Sequence, residues 1–452
     1  MRQWLGVALG MATALVVWGS CSTPPVSPAD AGVDAWSIQD SAADRPDTPS
    51  CVPPPKPANV PATWDLYTDY NPCCWLFVPR TKADLPPPME WEPCAPNVRP
   101  QGIVCRQVKI NWTEAPLNKG NVGVEFKRAW VHGSDVTLMI GRWAPEGVYT
   151  MFADADGLVQ NAILSIYPGS CPVFLEDVQD GYYVWKVYEN TAGSGALAGK
   201  LGELRPSFVY RSGAIFGAEH WGYAVGSPGI VRNSASIDIL PWKDPQATPT
   251  FIASPETEGG LKQNYPFFFK DALFWASDTL PINKQKVWTV QGGAKDFVSF
   301  GVDSSRGAAD LGTDGVDMVW VEGSSRSNPN GPFPVVDLMT APHTTDPAQL
   351  KPKKLRSISG YPFGTAPAVV GCGYTARRAE LPTAADGGLE AHVVIVRIAD
   401  GQTWLLPGSD PSWYYYAPIA LTCDEIFVYA RTPTQQIIRI RLDSLGPGSP
   451  PT

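Results

Sequence analysis

The sequence predicts an all-β fold, and its composition supports this class in three ways. The 42 glycines and 46 prolines among 452 residues favour turns and interrupt helices. The 17 tryptophans belong to a residue type that packs well on the surfaces of sheets. Charged residues make up only 17 % of the chain, which leaves little material for long helices with charged faces. Turns and strands are therefore expected to dominate.

Strand-like segments recur along the second and larger part of the chain. Each has Asp or Gly in an opening turn and then alternates between residues suited to a core and residues suited to solvent. The clearest six cover residues 133–140, 180–188, 212–218, 270–276, 314–321 and 423–430, and a weaker seventh covers 366–374. Most steps between them are about 30–60 residues, near the length of a four-stranded propeller blade.

This repeat predicts a β-propeller of about six or seven blades over residues 122–446. A β-sandwich or two separate β domains remain the alternative, because their strands alternate in the same way. The segments resemble the degenerate repeats of TolB-like and other non-WD propellers. The run that begins at Gln436 and ends at Leu442 also alternates, and we expect it to complete the first blade and close the ring.

The N-terminus predicts export. Arg2 is followed by an uncharged, mostly apolar run from Leu5 to Trp18, which has the length of a signal-peptide core and is short for a membrane span. Residues 1–20 are therefore predicted to be a signal peptide. Gly19-Ser20-Cys21-Ser22 resembles the lipobox of bacterial lipoproteins, with Trp18 where an aliphatic residue is usual. The resemblance implies lipidation of Cys21 and anchoring at the outer membrane or cell surface; ordinary secretion is the alternative.

Three further segments flank the repeats. Residues 21–61 are rich in Ala, Asp, Pro and Ser and predict a disordered tether, since they contain little apolar surface to bury. Residues 62–121 are rich in Cys and Trp and predict a lead-in that packs on the main domain. Residues 447–452 are predicted to be a disordered tail.

The cysteines indicate disulfides. Without Cys21 the chain has eight cysteines, an even number that suits an oxidising compartment. Cys94 and Cys105 bracket a turn before a strand-like segment, so we expect them to pair. The neighbours Cys73 and Cys74 are each expected to pair with a distant cysteine. No CxxC pairs are present to indicate a zinc site.

Two acidic turns are candidate calcium sites. Asp154 and Asp156 flank one turn, and Asp310, Asp314 and Asp317 flank another, so that hard oxygen ligands could converge on Ca²⁺. Neither turn completes an EF-hand loop. Asp and Gly also open hairpins without any ion, which is the alternative interpretation.

No complete catalytic motif is present. The four histidines are dispersed without metal-ligand spacing, and the nearest nucleophile and dinucleotide motifs are incomplete. His220 beside Trp221 is a weak candidate for a binding site. The aromatic run containing Trp413, Tyr414 and Tyr415 is another, because exposed rings suit glycan stacking or protein anchoring, although they could instead fill wedges between blades.

The formal charge of −9 and the absence of clustered Lys and Arg give no support for nucleic-acid binding. We therefore predict a non-catalytic propeller of the cell envelope, tethered to the membrane through its N-terminal lipid, that binds a protein or glycan partner. The alternatives are a glycan-active hydrolase or lyase with its site in the propeller funnel, and a purely structural or attachment protein. No cofactor other than Ca²⁺ is indicated.

Overall fold

A computed structural model describes residue 56 and residues 60–71, 74–95, 103–109, 124–132, 135–144, 147–166, 171, 173–189, 193–211, 222–233, 236–242, 248–253, 262–279, 282–298, 307–323, 335–359, 368–382, 389–406, 417–431 and 435–450. The chain divides into two units, Met1–Ser50 and Cys51–Thr452, and every described residue lies in the second. The described strands form seven sheets arranged in a ring. The predicted all-β propeller is therefore confirmed, with seven blades.

Four strands precede the repeating part: β1 (Trp64–Tyr67), β2 (Leu76–Pro79), β3 (Glu90–Pro93) and β4 (Cys105–Lys109). Blade 1 is built on β5 (Val124–His132), β6 (Asp135–Ala144), β7 (Gly147–Asp154) and β8 (Val159–Ile166). Blade 2 is built on β9 (Val173–Gln179), β10 (Tyr182–Glu189), β11 (Gly193–Lys200) and β12 (Phe208–Arg211).

Blade 3 contains β13 (Gly222–Gly226), β14 (Gly229–Asn233), β15 (Ile237–Pro241) and β16 (Thr250–Ala253). Blade 4 contains β17 (Lys262–Phe269), β18 (Ala272–Thr279), β19 (Ile282–Thr289) and β20 (Gly293–Val298). Blade 5 contains β21 (Gly307–Thr313), β22 (Asp317–Gly323), β23 (Val335–Pro342) and β24 (Lys353–Ser359).

Blade 6 contains β25 (Val369–Gly371), β26 (Tyr374–Pro382), β27 (Leu389–Arg397) and β28 (Thr403–Leu406). Blade 7 contains β29 (Ala417–Leu421), β30 (Glu425–Arg431) and β31 (Gln435–Arg441). The described helices are short 3₁₀ turns at Lys82–Asp84, Pro347–Gln349 and Leu442–Leu445. None of the helices in these ranges is long and apolar enough to cross a membrane.

In each blade the strands run antiparallel, and we letter them a to d in chain order from the centre outward. The a strands of neighbouring blades contact one another, as β9 does with β13 and β25 with β29, and β29 reaches β5 to complete the circle. Most predicted repeats span the opening turn and strand b of one blade. In blade 2 the opening turn is Asp180-Gly181, in which both residues have positive φ as a type I′ hairpin requires. Residues 212–218 lie outside the described residues.

The N-terminal strands complete the last blade. β4 pairs with β31 and serves as strand d of blade 7, and β3 pairs with β4 beyond it. β2 pairs with β8 and, with β1, extends blade 1 to six strands. The C-terminal run was expected to complete the first blade, and this expectation is wrong. The run forms β31, which is strand c of blade 7, and the N-terminal strand β4 pairs with it to complete the last blade.

The C-terminal residues also differ from expectation. Ser449 exchanges two backbone hydrogen bonds with Thr403, at 2.9 and 2.7 Å, along the outer edge of blade 6. The Trp404 indole donates to the Gly446 carbonyl oxygen (3.0 Å), and the Gln402 side chain donates to that of Gly448 (3.2 Å). The predicted disordered tail thus has an ordered beginning, because an open strand edge and the Gln402 side chain satisfy part of its backbone.

The core lies in the wedges between blades. Strand b carries a fully buried tryptophan at its fourth residue in blades 2, 4 and 5, at Trp185, Trp275 and Trp320. One apolar cluster fills the wedge between blades 2 and 3. It includes Val184 and Phe208 from blade 2 and Val225 and Leu240 from blade 3. Inner strands such as β7 and β22 are therefore buried on both faces, one face towards each neighbouring wedge, and this differs from the predicted alternation of core and solvent positions.

Candidate functional site

The connections between strands divide the propeller into two faces. The turns from a to b and from c to d lie on one face, which we call the a–b face, and the remaining connections lie on the opposite one. Most connections of that opposite face, such as residues 212–221, 299–306 and 407–416, lie outside the described residues. The described connections lie mainly on the a–b face, and the candidate site is on that face.

Several predicted site residues lie outside the described residues. These are Cys21, His220, Trp221, Trp413, Tyr414 and Tyr415. Their roles in lipidation and binding stay predictions.

The predicted disulfide pair is brought together. Cys94 and Cys105 are bonded across the β3–β4 hairpin of blade 7. Two more disulfides join Cys74 to Cys171 and Cys372 to Cys423, the second between the opening turns of blades 6 and 7. The three disulfides among the described residues indicate folding in an oxidising compartment outside the cytoplasm.

The first acidic turn connects strands c and d of blade 1. The Asp154 carboxylate accepts the backbone N–H groups of Asp156 (3.0 Å) and Leu158 (2.9 Å), so it closes its own turn. Asp156 is exposed and lies 3.8 Å from the Arg439 guanidinium. The carboxylates of this turn are thus engaged with backbone and with arginine.

The aspartates of the second acidic turn lie in two different environments, an exposed turn for Asp314 and a buried ion pair for Asp310. Asp314 accepts the N–H groups of Val316 and Asp317 in the opening turn of blade 5, both at 2.9 Å. Asp310 is buried and pairs with Arg377 of blade 6 at 2.6 Å, and burial raises its pKa to about 6. In the described part of the chain, no three His, Cys, Asp or Glu side chains are grouped to hold a metal ion. Calcium binding stays a prediction.

A depression of about 510 Å³ opens on the a–b face between blades 2 and 3, and we call it the 2–3 groove. Blade 2 contributes Tyr182, Gly199, Lys200, Ser207 and Phe208. Blade 3 contributes Ser227, Pro228, Pro241 and Trp242. The apolar cluster of the 2–3 wedge lies beneath, so the groove is the open end of a packed core. Its volume falls within the range of small-ligand sites.

An aromatic platform forms one part of the groove. The rings of Tyr182 and Trp242 stack with centroids 4.4 Å apart and an angle of 18° between their planes. Phe208 meets Trp242 edge-on at 5.6 Å. The Trp242 indole N–H donates to the Gly226 carbonyl oxygen at 2.8 Å, which fixes the orientation of the ring. The platform is therefore in place before any ligand arrives.

Polar groups lie beside the platform. The Ser227 hydroxyl donates to Asp271 (2.5 Å), and the Ser207 hydroxyl donates to Glu203 (3.0 Å). Because each serine has a single hydroxyl hydrogen, both serine oxygens are left as acceptors. The Lys200 ammonium forms no hydrogen bond or ion pair with any described residue.

A carboxyl group near the groove has a perturbed acidity. Burial raises the pKa of Asp180, which precedes Gly181 and Tyr182, and the nearby charge of Asp271 acts in the same direction. A hydrogen bond from the Ser227 backbone N–H partly opposes this effect. The opening turns of blades 2, 3 and 4 are thus linked by polar contacts beside the groove.

A second depression, of about 630 Å³, lies at blade 7 where the ring closes. Two of its three described arginines are engaged internally, since Arg439 pairs with Glu425 and Arg441 pairs with Asp443, while Arg106 is exposed at its edge. The Arg439 guanidinium also lies 5.5 Å from the ring centroids of Trp91 and Phe427. These contacts hold blade 7 together, and a ligand would have to displace them. The 2–3 groove is the better candidate site.

Sequence reasoning did not identify this groove. In the sequence, Tyr182 belongs to the strand-like repeat at residues 180–188, and Trp242 belongs to none of the repeats. The two rings are 60 residues apart in the chain and meet because their blades are neighbours. A tryptophan that directly follows a proline at the end of strand c is the one local signal that could have suggested it.

No protein-family model and no curated protein sequence matches the chain. Solved propellers are similar in fold. The WD40 domain of SCAP from fission yeast has a TM-score of 0.39 and 8 % identity, covering 71 % of this chain and 96 % of that one. The β-propeller domain of Nup133 from Vanderwaltozyma polyspora has a TM-score of 0.35 and 10 % identity, covering 71 % and 100 %. A putative TolB from Agrobacterium tumefaciens has a TM-score of 0.33 and 8 % identity, covering 51 % and 81 %. At these values the similarity says nothing about function.

Proposed function

We propose that this propeller is an exported protein that binds a glycan in the 2–3 groove. The observation that carries the proposal is the fixed Tyr182–Trp242 platform beside open hydrogen-bonding groups. The C–H faces of sugar rings stack on aromatic rings, and their hydroxyl groups need nearby polar partners. The groove offers both within one depression.

The shape of the groove favours a glycan over a protein partner. A stable protein interface buries about 800 Å² on each side and needs a broad surface. A concave space of about 510 Å³ with a few placed polar groups is instead the usual form of a small-ligand site. We therefore assign the groove to one or a few sugar units of a longer chain.

The cellular setting is part of the proposal. Residues 1–20 act as the signal peptide, the lipid on Cys21 anchors the protein to the membrane, and residues 21–61 hold the propeller away from it. The disulfides support an oxidising compartment. Palmitate labelling of the full chain, compared with Cys21→Ser, tests the anchor. Labelling that persists in Cys21→Ser, or is missing from the wild type, would overturn lipidation while leaving the groove untouched.

Glycan binding is tested by screening the purified full chain against an array of oligosaccharides and titrating those that bind. Trp242→Ala removes the platform, and we expect at least about a tenfold loss of affinity, because an aromatic anchor in a pocket commonly contributes 1–2 kcal/mol or more. Trp404→Ala on blade 6 is the matched control, since its indole also donates to a backbone carbonyl.

Equal binding by the wild type and Trp242→Ala would refute the groove as the site. Shortened oligosaccharides recovered after incubation would show turnover and favour the hydrolase or lyase alternative. An array without any bound oligosaccharide would refute the proposed function.

A further inference from the structure

We infer that the 2–3 groove selects acidic glycans and that Lys200 receives their anionic group. This inference rests on the proposed function of the same groove. It adds the chemical class of the ligand, namely sugar units bearing a carboxylate or a sulfate ester, and it assigns one residue to the choice.

The first reason to expect an acidic ligand is the charge of the residues that line the groove. Among the described residues that line the 2–3 groove, Lys200 is the one with a charged side chain, and the carboxylates of Glu203 and Asp271 lie behind the two serines. Its side chain is exposed, and no described carboxylate lies within ion-pair distance of its ammonium group. An ammonium group without a counter-ion beside an aromatic platform is suited to a ligand that brings its own negative charge.

The neighbouring carboxylate of Glu203 is engaged within its own turn, and no hydrogen bond joins it to the Lys200 ammonium group. Glu203 accepts the backbone N–H of Lys200 (3.1 Å) and the hydroxyl of Ser207 (3.0 Å) through the same oxygen. Glu203 is thus held in its own turn by two hydrogen bonds. The lysine side chain remains available to the groove.

The two serines are the second reason to expect an acidic ligand. Their hydrogen bonding determines which groups of a ligand can bind next to them. Ser207 and Ser227 have committed their hydrogens to Glu203 and Asp271, so each presents an oxygen acceptor. Sugar hydroxyls can donate to these oxygens, whereas a carboxylate or sulfate would be repelled there by the acids behind them. The anionic group is therefore directed to Lys200, and the neutral hydroxyls are directed to the serines.

The test compares three probes on the full chain: an oligogalacturonide, its methyl ester and a neutral hexose oligomer of the same length. We expect the wild type to bind the acid at least about tenfold more tightly than the ester, because the ester cannot form a charge-assisted hydrogen bond with Lys200. Added salt should weaken binding of the acid and leave binding of the ester unchanged. A sulfated hexose oligomer distinguishes sulfate from carboxylate as the preferred anion.

Lys200→Ala should abolish the preference for the acid and leave ester binding intact, whereas Lys200→Arg should retain the preference. Lys351→Ala, at an exposed lysine of blade 5, is the matched control. Equal affinity for acid and ester in the wild type, or an undiminished preference in Lys200→Ala, would overturn acidic selectivity while glycan binding stands. If Trp242→Ala also left binding of every probe unchanged, the groove itself would be refuted.

Discussion

His343 shows how three local contacts determine the protonation of one side chain. The Thr313 hydroxyl donates its single hydrogen to the Asp317 carbonyl oxygen (2.8 Å) and accepts the Gly315 N–H (3.0 Å). His343 Nδ1 lies 2.9 Å from the same hydroxyl oxygen, and this arrangement favours Nδ1 as the donor. We therefore predict that the proton resides on Nδ1 and that Nε2 carries the lone pair. Burial and the charge of Lys270 also lower the pKa of this imidazole.

We predict that ¹⁵N spectra of the histidine side chains show His343 in the Nδ1–H form at neutral pH. Its titration should lie below the ordinary pKa of about 6.5. Thr313→Val removes the acceptor and should shift His343 towards the Nε2–H form, which is the matched comparison. An Nε2–H tautomer in the wild type would contradict the assignment.

Asp310 gives the pH dependence of stability a definite sign. Burial raises the pKa of its carboxyl group to about 6, above that of an unfolded aspartate, in spite of the opposing charge of Arg377. Between about pH 4 and pH 6 the folded protein retains a proton that the unfolded chain has released. The contribution of this residue to stability therefore falls as pH rises through that window.

Denaturant unfolding across this window should show a steeper decline in stability for the wild type than for Asp310→Asn, which cannot ionise. The difference between the two proteins isolates the contribution of Asp310 from those of all other groups. Parallel pH profiles, or a wild-type curve that rises relative to the variant, would contradict the sign.

At the scale of elements, the turn between strands c and d of blade 1 joins that blade to β3. Gly157 has φ of +93°, and its carbonyl oxygen accepts the N–H of Met89 at 2.9 Å. A Cβ on Gly157 would lie 2.3 Å from the Met89 carbonyl oxygen. Gly181 has a similar φ of +78° and open space around it. The two glycines share a backbone conformation that would strain any residue with a Cβ, and they differ in packing.

We predict that Gly181→Ala costs about 1–2 kcal/mol of unfolding free energy, the usual cost of a left-handed alanine. Gly157→Ala should cost about 1–3 kcal/mol more, because the methyl group displaces the turn from β3. Denaturant unfolding of both variants measures the difference. Equal losses would mean that the contact between this turn and β3 contributes nothing.

Most blades could be predicted from local sequence because each repeats a hairpin with its own turn and alternation. The weaker repeat of blade 6, residues 366–374, covers strand a and the opening turn, and in the following strand b Arg377 occupies the position that Trp185 and Trp275 occupy in blades 2 and 4. The compensating charge, on Asp310, is 67 residues away in the chain. Such a pair cannot be recognised before the neighbouring strands are known. The groove was missed for the same reason, since its rings belong to different blades.

At the scale of the whole molecule, the disulfides differ in the length of chain that they close. Cys74–Cys171 spans 97 residues, whereas Cys94–Cys105 spans 11. In the chain-entropy account a crosslink stabilises by restricting the unfolded chain, and longer loops gain more. The longer crosslink also joins the extended blade 1 to the start of blade 2.

We predict that Cys74→Ala/Cys171→Ala lowers the unfolding free energy by about 4.7 kcal/mol and Cys94→Ala/Cys105→Ala by about 2.8 kcal/mol. Denaturant unfolding under non-reducing conditions compares the two double variants. The reverse order would show that native-state contacts, and not loop length, determine the contribution of these crosslinks.

The closure of blade 7 by β4 imposes an order on assembly. The Val104 N–H donates to the Ser444 hydroxyl across 340 residues of chain, so a segment must meet another that was synthesised 340 residues earlier. During synthesis the β3–β4 hairpin exists long before β31 and presents an unpaired edge. Contacts so distant in sequence form slowly, and incomplete chains expose strands that favour aggregation. The Cys94–Cys105 disulfide lies within the β3–β4 hairpin and can form locally. It would hold the hairpin in its folded conformation until β31 has been synthesised and can pair with β4.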